Sequence, residues 1–315
     1  MVSRHAFLIS AGATFAMPGV ASAAESIGVL YAGSLVTIME RRVVPALAKQ
    51  GLDVRGEGKG SAALANLIRS GLRSPDVFIS ADAKILDGMI GASGGNFVSW
   101  YLNFATTRLV IGYAAASPFA HDFVLANRGE KKLTSALLAP GLRLGRTDPA
   151  LDPKGYRTIL ACELLEAQLG PPGFAARLLG DPRNPAQIVP EETLLARLEG
   201  GDLDAGFLYS TESVARGVPE LELPKSVNLG DPSQSAVYAS ASVTIEGVKR
   251  TGAPAIYAMT IPDAAPNKEG AVAFIDFLLA GAGREILAQS GMTLFRPLPG
   301  GNRAAIPAKL APLLG

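Results

Sequence analysis

Glycine and serine stand together at two places where an apolar run passes into a helical pattern. One is Ala32-Gly33-Ser34, after the run 27–31; the other is Gly60-Ser61, after Leu52-Asp53-Val54. The first turn of a helix presents N–H groups without partners and the positive end of the dipole, and together these suit an oxyanion. Glycine lets a ligand approach the backbone, and serine adds one more hydrogen-bond donor. Either turn alone is also what ordinary capping requires, because serine is a favoured N-cap. The same pair in the same topological position twice puts anion binding on a level with capping.

The elements that would carry these turns read as α/β. After 27–31 comes a helical pattern of Leu35, Ile38, Met39, Val43 and Leu47, broken by Pro45. Gly60-Ser61 opens a helix with Leu64, Leu67 and Ile68, and Asp76-Val77-Phe78-Ile79-Ser80 predicts a third strand. Further strands are expected at 107–113, 142–145, 205–209 and 255–261, with helices around 194–198 and 271–279. The Pro/Gly-rich stretches 170–173 and 297–301 read as surface loops. Strand, Gly/Ser turn and helix in alternation imply a parallel sheet covered by helices, with ligands at the carboxyl ends of the strands. No internal repeat, low-complexity tract or charge block is evident.

Residues 1–23 have the parts of a secretory signal peptide: a short basic start with Arg4, an apolar stretch, and Ala21-Ser22-Ala23. The segment Ser3-Arg4-His5-Ala6-Phe7-Leu8 leaves twin-arginine and general export both open. The expected location is therefore periplasmic or extracytoplasmic. Without those residues the 29 basic and 28 acidic side chains become 28 and 28, because Arg4 is the one charge removed. A formally neutral chain has no field for nucleic acid or an anionic membrane. A lone cysteine, Cys162, allows no internal disulfide, and its apolar neighbours predict a buried thiol. His121 is then the one remaining histidine, which argues against histidine metal sites and against a Ser-His-Asp triad. No nucleophile motif stands near His121, which lies in Pro118-Phe119-Ala120-His121-Asp122, so an enzyme is not expected.

An ordered set of segments resembles a known family. It comprises Ala32-Gly33-Ser34-Leu35, Gly60-Ser61, 76–82, Asp152-Pro153-Lys154-Gly155-Tyr156-Arg157, 201–209 and Leu229-Gly230-Asp231-Pro232. These are similar to the molybdate/tungstate-binding proteins of ABC importers, in particular the branch first described in archaea. The resemblance implies a two-lobed type II periplasmic binding protein fold, with mostly parallel sheets, flanking helices and two crossover strands at the hinge. Lobe 1 is expected at 25–105 and 250–315, and lobe 2 at 106–249.

By the same resemblance, Gly33, Ser34, Gly60 and Ser61 hold the anion, and Asp152 and Glu191 reach the molybdenum or tungsten atom of the oxyanion directly. Tyr156 is a further cleft candidate, and Glu192 stays open as the second carboxylate beside Glu191. Lys154 departs from the family pattern, which has a small residue or cysteine there, and it alters the local field. Taken alone, Asp152 before Pro153 reads as a turn residue, and Glu191 as an acid favoured in a first helical turn. The implied partners are molybdate or tungstate and a membrane permease, with a monomeric protein and no cofactor. Sulfate, thiosulfate or a metal cation held by Asp152 and Glu191 are the alternative ligands.

Overall fold

The computed structural model describes residues 25–315; the expected signal peptide lies outside them. Twelve strands are formed: β1 (Glu25–Ala32), β2 (Leu52–Lys59), β3 (Val77–Ser80), β4 (Trp100–Thr107), β5 (Leu109–Tyr113), β6 (Leu144–Gly145), β7 (Ala205–Tyr209), β8 (Glu220–Leu221), β9 (Ser242–Ile245), β10 (Val248–Thr251), β11 (Ala255–Thr260) and β12 (Thr293–Gly301). They build a six-stranded sheet in the order β12-β4-β11-β3-β1-β2, a four-stranded sheet in the order β6-β7-β5-β8, and the hairpin β9–β10.

The sheets are mixed, not mostly parallel. Among the described residues, parallel pairing joins β1 to β2, β1 to β3 and β6 to β7, while β11, β12, β5, β8 and the hairpin pair antiparallel. The cause is the chain path. β4 leaves the first sheet, β11 returns to it, and the two lie side by side in opposite directions. The parallel subset is the one that matters for the site, because it puts the carboxyl ends of β1, β2 and β3 on one edge.

Several elements depart from the expected pattern. Pro45 does not break the helix. The turn over Met39–Val43 is widened, with the Val44 N–H bonded back to the Met39 carbonyl, so Pro45 falls where a new helical turn begins. The stretch 297–301 belongs to β12 and is no loop; as an edge strand with a register shift it tolerates Pro297 and Pro299. The strand expected at 107–113 is two strands, β4 and β5, meeting at Arg108. Cys162 is buried as expected.

At that meeting point the two passages of the chain between the sheets are tied together. Leu109 N–H donates to Asn228 O (2.8 Å), and Ala255 N–H donates to Leu229 O (2.7 Å). On the first sheet, Leu30, Phe78 and Tyr101 pack against Leu64 and Ile68 of the helix Ser61–Arg69. On the second, Val110 and Leu208 pack against Leu194, Leu195 and Leu198 of the helix Glu191–Glu199. Each sheet thereby anchors a helix whose N-terminus faces the seam between the sheets.

Candidate functional site

The register of β1 on β2 pairs Ala32 with Lys59, which sets the Gly33-Ser34 and Gly60-Ser61 turns side by side at the sheet edge. Both serines are buried. Ser34 Oγ accepts from the Tyr257 hydroxyl (2.9 Å), and Ser61 Oγ accepts from Ala81 N–H (3.1 Å). These bonds fix both hydroxyl oxygens and leave each hydroxyl proton free to be donated.

The backbone amides of the turns behave differently from the expectation. Gly33 N–H donates to Glu191 Oε2 (2.8 Å), and Ala62 and Ala63 N–H both donate to Leu151 O (3.1 Å each). Lobe-bridging acceptors therefore take donors that the sequence pattern assigned to the ligand. A Cβ at Gly33 would lie 2.6 Å from Glu191 Oε2, and one at Gly60 would lie 2.5 Å from Leu151 O, so both glycines serve close approach between the sheets.

The opposite wall comes from the second sheet. Asp152 is the N-cap of the helix Pro153–Leu169, and its Oδ1 accepts from Lys154 N–H (3.1 Å). Its other oxygen, Oδ2, is buried and accepts no hydrogen bond, and the same holds for Glu191 Oε1. Glu191 is 4% exposed while the neighbouring Glu192 points outward toward Lys59, so geometry separates the two acids. Burial, opposed in part by Lys154, raises the Asp152 carboxyl above its ordinary range. Burial, and then the Asp152 charge, push Glu191 well above it.

Arg146, absent from the sequence-based candidates, positions this wall. Its buried guanidinium bonds Gln187 Oε1 (2.9 Å) and the carbonyls of Pro182 (2.7 Å) and Asp181 (2.8 Å), and Val189 N–H donates to Arg146 O (3.0 Å). That binds the segment before Glu191 to the end of β6. A lone arginine in Leu144-Gly145-Arg146-Thr147 was the available signal. Lys154 and Glu212 were also missed as a pair; Lys154 Nζ lies 2.8 Å from each Glu212 oxygen and 3.4 Å from Glu191 Oε1.

Tyr156 is placed elsewhere. Its hydroxyl bonds Asp82 in a small neighbouring pocket with Arg157 and Arg250, while Arg157 reaches Ala81 O (2.6 Å) and Tyr209 OH (2.8 Å). It braces the seam and does not line the Asp152–Glu191 cleft, nor do Gly33, Ser34 and Ser61, of whose two turns Gly60 alone is in the lining. That cleft measures about 290 Å³ and is lined by Gly60, Ala63, Leu151, Asp152, Pro190 and Glu191 among others.

A hydroxyl proton donated at 34 and 61 sets up one test. Ser34→Ala and Ser61→Ala are each expected to cost about 1.5–3 kcal/mol of anion binding, as for hydrogen bonds to charged groups, with little change in melting temperature. Titration calorimetry reads this directly; an alanine variant that binds like the parent would show that serine to be a cap alone.

Comparison with known proteins fits this architecture. The bacterial extracellular solute-binding protein family matches residues 27–293, and the chain belongs to that family. A candidate molybdenum-binding protein of an ABC transporter from Haloferax volcanii is 35% identical over 267 residues, spanning 82% of both chains. A molybdate/tungstate-binding protein from Thermococcus kodakarensis is 26% identical over 262 residues, spanning 76% of this chain and 72% of its own. The periplasmic molybdate-binding protein of Azotobacter vinelandii superposes with a TM-score of 0.58 at 18% identity, covering 85% of this chain and 99% of that one. The last likeness shows the fold, the two-lobed type II periplasmic binding protein fold. Among the described residues, no helix is long and apolar enough to cross a membrane.

Proposed function

We propose that the protein captures molybdate or tungstate in the cleft between two lobes, 25–105 with 250–315 and 106–249, and delivers it to an ABC permease after export by the signal peptide at 1–23. In this reading it is a periplasmic or extracytoplasmic monomer without catalytic activity. One observation carries the reading: Asp152 Oδ2 and Glu191 Oε1 are buried carboxylate oxygens that accept no hydrogen bond, in a region that also has the serine turns of the first sheet. The named relatives support the ligand class. Carboxylates beside a dianion make sense when the central atom can accept further oxygen donors, as molybdenum(VI) and tungsten(VI) can and sulfur in sulfate cannot. A cation in the same place fits less well, because the Lys154 ammonium already stands 3.4 Å from Glu191 Oε1.

The test is a thermal-shift panel of molybdate, tungstate, sulfate, thiosulfate, calcium and ferric iron. A ligand at 100 times its dissociation constant adds roughly 2.7 kcal/mol of stability. Molybdate and tungstate are expected to give that increment and to lower the radius of gyration in solution scattering, since ligand shared between lobes favours the closed form. Stabilisation by calcium or ferric iron alone would replace the oxyanion reading with a cation one.

A further inference from the structure

One buried charge beside the cleft has no part in the ligand assignment. Lys154 is fully buried, and its Nζ contacts both oxygens of Glu212 at 2.8 Å and Glu191 Oε1 at 3.4 Å, with the Tyr209 ring centroid at 5.6 Å. Glu212 is held in turn by the Tyr209 N–H, 2.8 Å from Oε2. Asp152, Glu191 and Glu212 thus set three buried carboxylates against one ammonium. The position is unfavourable for a cation on local grounds. It lies in the first turn of the helix Pro153–Leu169, where the dipole opposes positive charge, and burial of an ammonium is costly unless it is fully paired. A pair made only to join two elements would be neutral and would leave Glu191 out; here the ammonium leans on an acid that borders the cleft.

We propose that Lys154 is the charge-compensating residue of the cleft, a fixed cation clamped by Glu212 that determines how strongly a dianion is held against Asp152 and Glu191. The proposal rests on the oxyanion reading above. It makes Lys154 and Glu212 positioning residues that act through Glu191 and the local field, without touching the ligand.

The test is a charge cycle read with tungstate by titration calorimetry on the full mature chain. Lys154→Met keeps the length of the side chain and removes the charge; it is expected to weaken tungstate by at least about tenfold, since a unit charge at such distances acts strongly in a partly dry cleft. Glu212→Gln removes one excess negative charge and is expected to tighten binding. Lys154→Met combined with Glu212→Gln restores the original charge excess and is expected to recover most of the loss. Equal losses in all three variants would show a structural clamp and overturn the proposal, as would Lys154→Met binding like the parent. Should Lys154→Met fail to fold, Glu212→Gln and the double variant still decide, because a structural clamp predicts weaker binding in both. A parent that binds neither tungstate nor molybdate overturns the functional reading and this inference with it; a binding parent with an indifferent Lys154 overturns this inference alone.

Discussion

Asp152→Asn and Glu191→Gln are each expected to weaken molybdate and tungstate binding by more than about 100-fold, since changes to groups merely supporting a metal ligand already cost roughly 10–100-fold. The sign of the effect is what makes the experiment decisive. If the two acids only stood near the ligand, each would repel a dianion by roughly 4 kcal/mol at about 4 Å and an effective dielectric near 20, and neutralising either would tighten binding. If they donate to the metal atom, the bond formed outweighs the repulsion and neutralising them weakens binding. Sulfate has no such bond to gain, so the same substitutions should leave its rejection unchanged or poorer. Asp152 Oδ2 and Glu191 Oε1, which accept no hydrogen bond, are the donors in question. X-ray absorption of the tungstate complex should report octahedral oxygen coordination in the parent; a tetrahedral spectrum would return both residues to the roles of N-cap and first-turn acid.

The one-dimensional pattern revealed the lobe-1 half of this arrangement more fully than the lobe-2 half. The turns at Gly33-Ser34 and Gly60-Ser61 were legible because strand, small residues and helix follow one another locally, and the sheet register then places them together. Asp152 and Glu191 are 39 residues apart and meet only through β6, the pinned segment before Val189, and Arg146. No local period encodes that, and without a family resemblance both acids read as ordinary helix-start residues. Tyr156 shows the limit of transferring roles by adjacency. It stands four positions after Asp152, close to a full helical turn, yet its hydroxyl is bonded to Asp82 outside the cleft. Apart from Thr107, β4 was missed because a strand buried between β12 and β11 shows no alternation, and β9, β10 and β12 were missed because prolines, charges and exposed positions along the edge and the hairpin blur it.

Closure itself offers the remaining large effect, at Gly60. The backbone there has φ −51° and ψ 130°, a conformation that alanine adopts without strain. Gly60→Ala should therefore fold normally and keep the melting temperature of the ligand-free parent. The added methyl is unfavourable in one circumstance only: its carbon would stand 2.5 Å from Leu151 O and 3.1 Å from Asp152 Cβ, atoms supplied by the other sheet. The nearest of these is a backbone oxygen that already accepts from Ala62 and Ala63 N–H, so it cannot swing aside as a side chain could. Relief requires the sheets to separate, which moves Asp152 away from the serine turns. Overpacking of this kind costs about 1–3 kcal/mol, and because it falls on the closed form alone it should appear as roughly 5- to 150-fold weaker tungstate binding. Scattering should show a radius of gyration that contracts less on adding tungstate than in the parent. A Gly60→Ala variant that binds and contracts like the parent would mean that ligand is held without Leu151 reaching Gly60, and that the contacts of Ala62 and Ala63 with Leu151 are not part of the bound state.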